Sequence, residues 1–257
     1  MEANTVQRVS YLIGLSMISC LSVMAQEPIR VLIMTGCDYP GHHWRETTPE
    51  VRRALEEDSR FQVFVCEDPE IMATPMHERY DVLIFHYCNW EQPMPRQAVL
   101  DGLADSVRQG LGVVALHFAC GAFLEWPEFE NILGRVWDRE KTHDPYGPFT
   151  VHIANPDHPI TRGMTDFETT DELYFCLKGS PEIEVLFTAH SKVTDQDEAM
   201  GFALQYGKGR VFHTPLGHDV QAFSTPGVRD LLRRACQWAA TGDVTAEPAK
   251  SPSDTNK

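Results

Sequence analysis

Basic residues are scarce in this 257-residue chain: 22 Lys and Arg face 37 Asp and Glu, leaving a formal charge of −15 and a pI near 5.1. Nucleic acid and anionic membrane surfaces both reward positive charge, so neither is expected as a partner. A neutral, polar small molecule fits better. No Cys-x-x-Cys pair is present to suggest a structural zinc site, and no His-Glu-x-x-His helix announces a catalytic one. The run from Tyr11 to Val23 is too short to span a bilayer comfortably. No break in composition divides the rest, so one sizeable α/β domain over 26–240 is expected.

The first 25 residues carry Arg8, that apolar run, and Val23-Met24-Ala25 ahead of Gln26, the pattern of a secretory leader. Cleavage after Ala25 would export the chain to the periplasm or beyond, free of the membrane. Competing readings are a lipoprotein box at Met17-Ile18-Ser19-Cys20, lipidated on Cys20, or an uncleaved anchor. Six cysteines follow the leader. Cys66 and Cys176 are most simply small core residues, whereas Cys37, Cys88 and Cys120 follow strands and leave a disulfide near the pocket rim open. Residues 241–257, rich in Pro, Ser, Thr and charge, carry no apolar pattern to bury and are expected to be disordered.

Strand-like runs at 29–35, 61–66, 81–85 and 112–116 alternate with helical periodicity at 49–57 and 95–109, the latter spacing Val99, Leu103 and Val107 along one face. Such alternation implies right-handed crossovers and a doubly wound, mostly parallel sheet flanked by helices. The second half is more antiparallel, with strands at 149–154, 183–188, 199–205 and 209–213 and a hairpin turn at Gly207-Lys208-Gly209. A last helix at 228–240 presents Leu231, Leu232, Ala235 and Trp238 on one side.

Against that frame, His86, His117, His190 and His213 each stand at or just past the C-terminal end of an apolar run. Open α/β sheets bind ligands at that edge, and imidazole is suited to proton transfer or metal ligation near neutral pH. The loop at 36–49 carries Gly41-His42-His43-Trp44 before a helix start near Thr48-Pro49. Indole covers the apolar face of a sugar while imidazole bonds its hydroxyls, which makes His42, His43 and Trp44 substrate-binding candidates. The plainer alternative makes Trp44 a staple of its loop. Asn89 and Trp90, beyond the 81–85 run, are candidates for the same pocket.

In Ala115-Leu116-His117-Phe118-Ala119-Cys120-Gly121 the strand runs into a turn and a helix, which puts His117 at an elbow and tucks Cys120 into the first helical turn. Asp171 and Glu172, beside what resembles a strand start at Leu173-Tyr174, are candidate bases, although adjacent strand residues face opposite ways. His218 and Asp219 stand at another strand exit. His117, His218, Asp171 and Glu172 form the candidate catalytic set, with His143, Tyr174 and Asp219 among the substrate contacts. Convergence of His42, His117, His143 and His218 on a divalent ion such as zinc is a separate expectation, which the spacing leaves open.

Gly41-His42-His43-Trp44, Ala115-Leu116-His117, Gly134-Arg135-Val136-Trp137 with His143, His158-Pro159-Ile160-Thr161, Asp171-Glu172-Leu173-Tyr174, Gly207-Lys208-Gly209-Arg210-Val211-Phe212, Leu216-Gly217-His218 and Trp238-Ala239-Ala240 recur in one order. In that order and spacing the chain resembles the ThuA-like family, named for a trehalose-utilisation protein. The resemblance implies the class I glutamine amidotransferase-like fold and a part in disaccharide or oxidised-sugar catabolism. It also disfavours amidotransferase chemistry, because His117 replaces the elbow cysteine of that wider fold and Pro215 stands where a carboxylate would follow His213. A hydrolase, isomerase or lyase acting on a disaccharide, glycoside or keto-sugar is expected. A non-catalytic sugar-binding or accessory protein is the alternative, and a homo-oligomer stays open.

Overall fold

The computed structural model describes residues 27–138 and 143–245. The first half runs β1 (Ile29–Met34), α1 (Trp44–Glu56), β2 (Phe61–Cys66), α2 (Met76–Arg79), β3 (Val82–Phe85), α3 (Gln97–Gln109) and β4 (Gly112–Leu116). The second runs α4 (Glu128–Leu133), β5 (Gly147–Ile153), β6 (Phe167–Asp171), β7 (Glu184–Ser191), β8 (Gln196–Tyr206), β9 (Gly209–Thr214), α5 (Val220–Ser224) and α6 (Pro226–Thr241). One sheet results, ordered β2-β1-β3-β4-β9-β8-β7-β5-β6. Its first five strands are parallel, and every pairing from β9 outward is antiparallel.

The continuous apolar runs are explained by helices on both faces. Val31, Ile33, Val82, Ile84 and Val114 pack with Val51 and Leu55 of α1 and Leu231, Leu232 and Ala235 of α6. Their neighbours Leu32, Met34, Leu83, Phe85 and Val113 pack on the other face with Val99, Leu103 and Val107 of α3. Each fully buried aliphatic or aromatic side chain contributes roughly 1.5–3 kcal/mol, so these two layers anchor the strand ends on which the site is built.

Several local expectations change. Helix α1 starts at Trp44, not near Pro49, which lies inside it, so the loop carrying His42 is short. The elbow leads into a single 3-10 turn, His117–Gly121, because Ala122 is already extended. Asp171 ends a strand where a start at Leu173-Tyr174 had been expected. Cys37, Cys66, Cys88, Cys120, Cys176 and Cys236 are all unpaired, so no disulfide closes the rim. The five residues after Ala240 are placed as well: Thr245 accepts hydrogen bonds from Arg60 and Gln237, and Val244 packs on the core. The leader, Cys20 and residues 246–257 lie outside the described residues.

The β5–β6 ribbon sets up the site. It meets β7 in only two register pairs, His152–Thr188 and Ile153–Phe187, while β5 and β6 pair along five positions. Although β6 is four strands from β9 in sheet order, its last residue, Asp171, bonds the backbone just beyond β9. The ribbon therefore leaves the sheet and delivers Glu172 to the carboxyl edge of the parallel strands.

Candidate functional site

Four segments meet at that edge. His42 lies in the β1–α1 loop, where its N–H donates to the Tyr39 carbonyl and its ring stacks on Phe118 at 4.4 Å and on Tyr39 at 5.5 Å. His117 follows β4 with φ of 49°, a left-handed conformation that non-glycine residues adopt at a cost. Glu172 follows β6. His218 follows β9, after Gly217, whose φ of 116° is accessible to glycine and whose absent Cβ would lie 2.3 Å from the Phe223 ring.

The imidazole of His117 is nearly inaccessible, at 2 % exposure. Its Nδ1 is 2.7 Å from the carbonyl oxygen of Pro215, which can only accept, so Nδ1 carries the proton. In the neutral ring Nε2 then holds a bare lone pair. Around it stand Tyr174 Oη at 2.9 Å, His42 Nε2 at 3.0 Å, His218 Nδ1 at 3.3 Å and Glu172 Oε2 at 3.6 Å. Glu172 Oε2 is also 3.2 Å from His218 Nδ1. His42, His117, Glu172 and His218 each offer one ligand atom within 4.8 Å of all the others.

The charges are coupled. Burial, then His117 and His218, push His42 down to about 2, so it stays neutral. Burial also opposes charge on His218, yet Glu172 holds this imidazole above its ordinary range. For Glu172 burial acts upward, but the neighbouring imidazoles of His117 and His218 outweigh it and keep its carboxyl well below the usual range. Burial keeps the Tyr174 phenol protonated far above its ordinary range. Beside the imidazoles is a cavity of about 40 Å³, bordered by Cys37, Tyr39, Trp44, Tyr87 and Phe118.

Other candidate residues lie elsewhere. Asp171 is fully buried, and its two oxygens accept from the backbone N–H groups of Glu172, Gly217 and His218, so it clamps two loops and presents no free oxygen as a base. Burial raises its carboxyl, with His117 and those N–H groups opposing. His143 is outside the four-residue cluster: its Nδ1 lies 2.8 Å from the Asp144 carbonyl and 3.8 Å from Glu172, which takes the place expected for His143. The exposed His43 is the N-cap position of α1 and makes no side-chain capping bond. Asn89 is buried and bonds Phe123 N and the carbonyls of Gln92 and Pro93, which shapes its own loop. Trp90 packs on Phe118 at 5.2 Å. Trp44 borders the cavity, but its indole N–H donates to Asp38 and Arg45 lies over its ring, the arrangement of a loop staple. Asp219 caps α5 through Ala222 N and accepts from Tyr146 Oη at 2.8 Å.

Among the other strand-end histidines, His86 bonds Thr47 at 2.9 Å on the cavity wall. His213 is fully buried inside β9, not past its end, with Nδ1 3.3 Å from the Leu133 carbonyl. His190 is exposed between Asp195 and Asp197. Cys120 is fully buried with Phe118, Trp137 and Tyr174, and burial pushes its thiol far up. Tyr39, Phe118 and Tyr146 were not singled out in the sequence. Only the proximity of Tyr39 to His42 and of Phe118 to the elbow offered a signal.

The arrangement gives the comparison with known proteins its meaning. The ThuA family, described as Trehalose utilisation, matches residues 30–239. The chain belongs to the ThuA family. A ThuA-like protein from Parabacteroides merdae is 26% identical, with a TM-score of 0.76 over 87% of this chain and 94% of that one. One from Bacteroides uniformis is 20% identical, with a TM-score of 0.70 over 87% and 96%. A GMP synthase subunit from Thermoplasma acidophilum, 13% identical with a TM-score of 0.50 over 84% and 96%, shares the fold alone. No curated protein matches the sequence significantly. Membership supports a carbohydrate-related role for this ThuA-like chain, on the amidotransferase-like fold.

Proposed function

We propose that this ThuA-like chain is an exported carbohydrate-processing enzyme acting on a disaccharide, glycoside or keto-sugar, with His42, His117, Glu172 and His218 as its reactive centre. The observation that carries the reading is the convergence of these side chains from four loops on His117 Nε2, in a family described by trehalose utilisation. Bringing three imidazoles and a carboxylate out of water costs stability, and such clusters gather where chemistry uses them. The cavity of about 40 Å³ has room for a sugar oxygen, and the ring would extend past the exposed Tyr146, which packs on His218. In the cavity that oxygen would meet the imidazoles of His42, His117 and His218, which form part of its wall.

Amidotransferase chemistry finds no support, because His117 occupies the elbow and the buried Cys120 thiol is held protonated. The test is calorimetric binding and product analysis with trehalose, other disaccharides and their keto derivatives, on the native chain and on His117→Ala. Sugar turnover that disappears in folded His117→Ala is expected. Sugar binding with no turnover would favour an accessory protein, and no binding of any sugar would refute the reading.

A further inference from the structure

We infer that His42, His117, Glu172 and His218 form a binding site for one divalent transition-metal ion, of which zinc is the natural probe. This gives the reactive centre proposed above its chemistry, but it is argued from donor geometry and not from the sugar.

Hydrogen bonding alone cannot satisfy the site. With its Nδ1 proton committed to Pro215, His117 offers one lone pair, yet Tyr174 Oη, His42 Nε2 and His218 Nδ1 all lie within 3.3 Å of it. Tyr174 can donate to that lone pair and His218 to Glu172, which leaves His42 Nε2 facing it at 3.0 Å without an acceptor of its own, while the buried His42 Nδ1 has no partner. A cation would instead take a lone pair from each imidazole and an oxygen of Glu172.

The distances agree. Ligands about 2.0–2.1 Å from a tetrahedral ion are separated by roughly 3.3–3.4 Å. The spacings here are 3.0 Å for His42–His117, 3.3 Å for His117–His218, 3.2 Å for His218–Glu172 and 3.6 Å for His117–Glu172. The bond from His117 Nδ1 to a backbone carbonyl is the usual outer support of a metal-ligating histidine, fixing the tautomer and aiming the ring. Asp171 plays a comparable part for Glu172 and His218 through their backbones.

Three imidazoles and one carboxylate suit zinc and its first-row neighbours better than magnesium or calcium, which prefer oxygen. The adjoining cavity of about 40 Å³ has room for a water-sized ligand, since roughly 10–15 Å³ suffices. The four side chains already fill a tetrahedron, so a water held there would make the ion five-coordinate.

The experiment strips the full chain with chelator and titrates it with Zn²⁺ and Co²⁺, reading stoichiometry by elemental analysis and geometry from the cobalt visible spectrum. One ion per chain with a four- or five-coordinate cobalt spectrum is expected. Affinity should fall at least about 100-fold in Glu172→Gln and in His218→Ala, each checked for folding by circular dichroism. His190→Ala, which removes the exposed imidazole beside Asp195 and Asp197, should keep the stoichiometry, as should His143→Ala. Absence of binding to the native chain, loss of the ion in His190→Ala, or unchanged affinity in folded Glu172→Gln would each overturn the site. A native chain that turns over sugar while binding no ion would overturn the metal alone. A chain that binds the ion but no sugar would overturn only the carbohydrate reading.

Discussion

Replacing Asp171 with Asn tests whether the two halves of the site are held together by one buried carboxylate. Asp171 Oδ1 accepts from Glu172 N at 2.8 Å and His218 N at 3.0 Å, and Oδ2 accepts from Gly217 N at 2.7 Å. An amide can satisfy only one of these sides. Either orientation places an NH2 group against a backbone N–H, which loses a charge-assisted bond and strands a buried donor. Bonds to charged groups contribute about 1.5–3 kcal/mol and a stranded donor costs about 1–3 kcal/mol, so a destabilisation of about 3 kcal/mol is expected. For a domain of this size that lowers Tm by roughly 6–12 °C. Urea unfolding supplies the direct assay, with Asp166→Asn as control. Asp166 makes comparable bonds to Ile153 N and His152, but its side chain is half exposed, so water can replace them and the loss should be much the smaller of the two. Equal effects at the two positions, or an Asp171→Asn loss under about 1 kcal/mol, would refute the clamp.

Stability should fall on acidification through His213, which burial pushes down to about 4 from an ordinary value near 6.5. Between those two values the unfolded chain binds a proton that the folded chain refuses, so stability rises with pH across the window. The contribution is about 3 kcal/mol, fully present above pH 6.5 and lost toward pH 4. Urea unfolding of His213→Gln at pH 7 and pH 4.5 should show a flatter pH dependence than the native chain, and identical slopes would contradict the assignment. Cys120→Ser should leave sugar turnover within a few fold, because the thiol is buried behind His117 among aromatic rings. Abolished turnover in a folded Cys120→Ser protein would restore a cysteine nucleophile.

The parallel half of this protein was legible in its residue pattern. Strands β1, β3 and β4, buried on both faces, must read as continuous apolar runs, and α3 and α6 must carry one apolar side, so 29–35, 81–85, 112–116 and the rows Val99-Leu103-Val107 and Leu231-Leu232-Ala235 were legible from periodicity. The positions of His42, His117 and His218 past strand ends were legible for the same reason, since parallel strands bring all their carboxyl ends to one edge. The place of Glu172 was not. It depends on a ribbon leaving the sheet after two register pairs with β7, and nothing in local pattern records where a ribbon returns. The parts of Asp171 and Glu172, adjacent and chemically alike, were likewise decided only in three dimensions. Opposite faces of one strand end put Asp171 among three backbone N–H groups and Glu172 among imidazoles. His213 shows the same limit, because alternation along β9 turns it toward α4 and the core, where burial and not sequence position sets its chemistry.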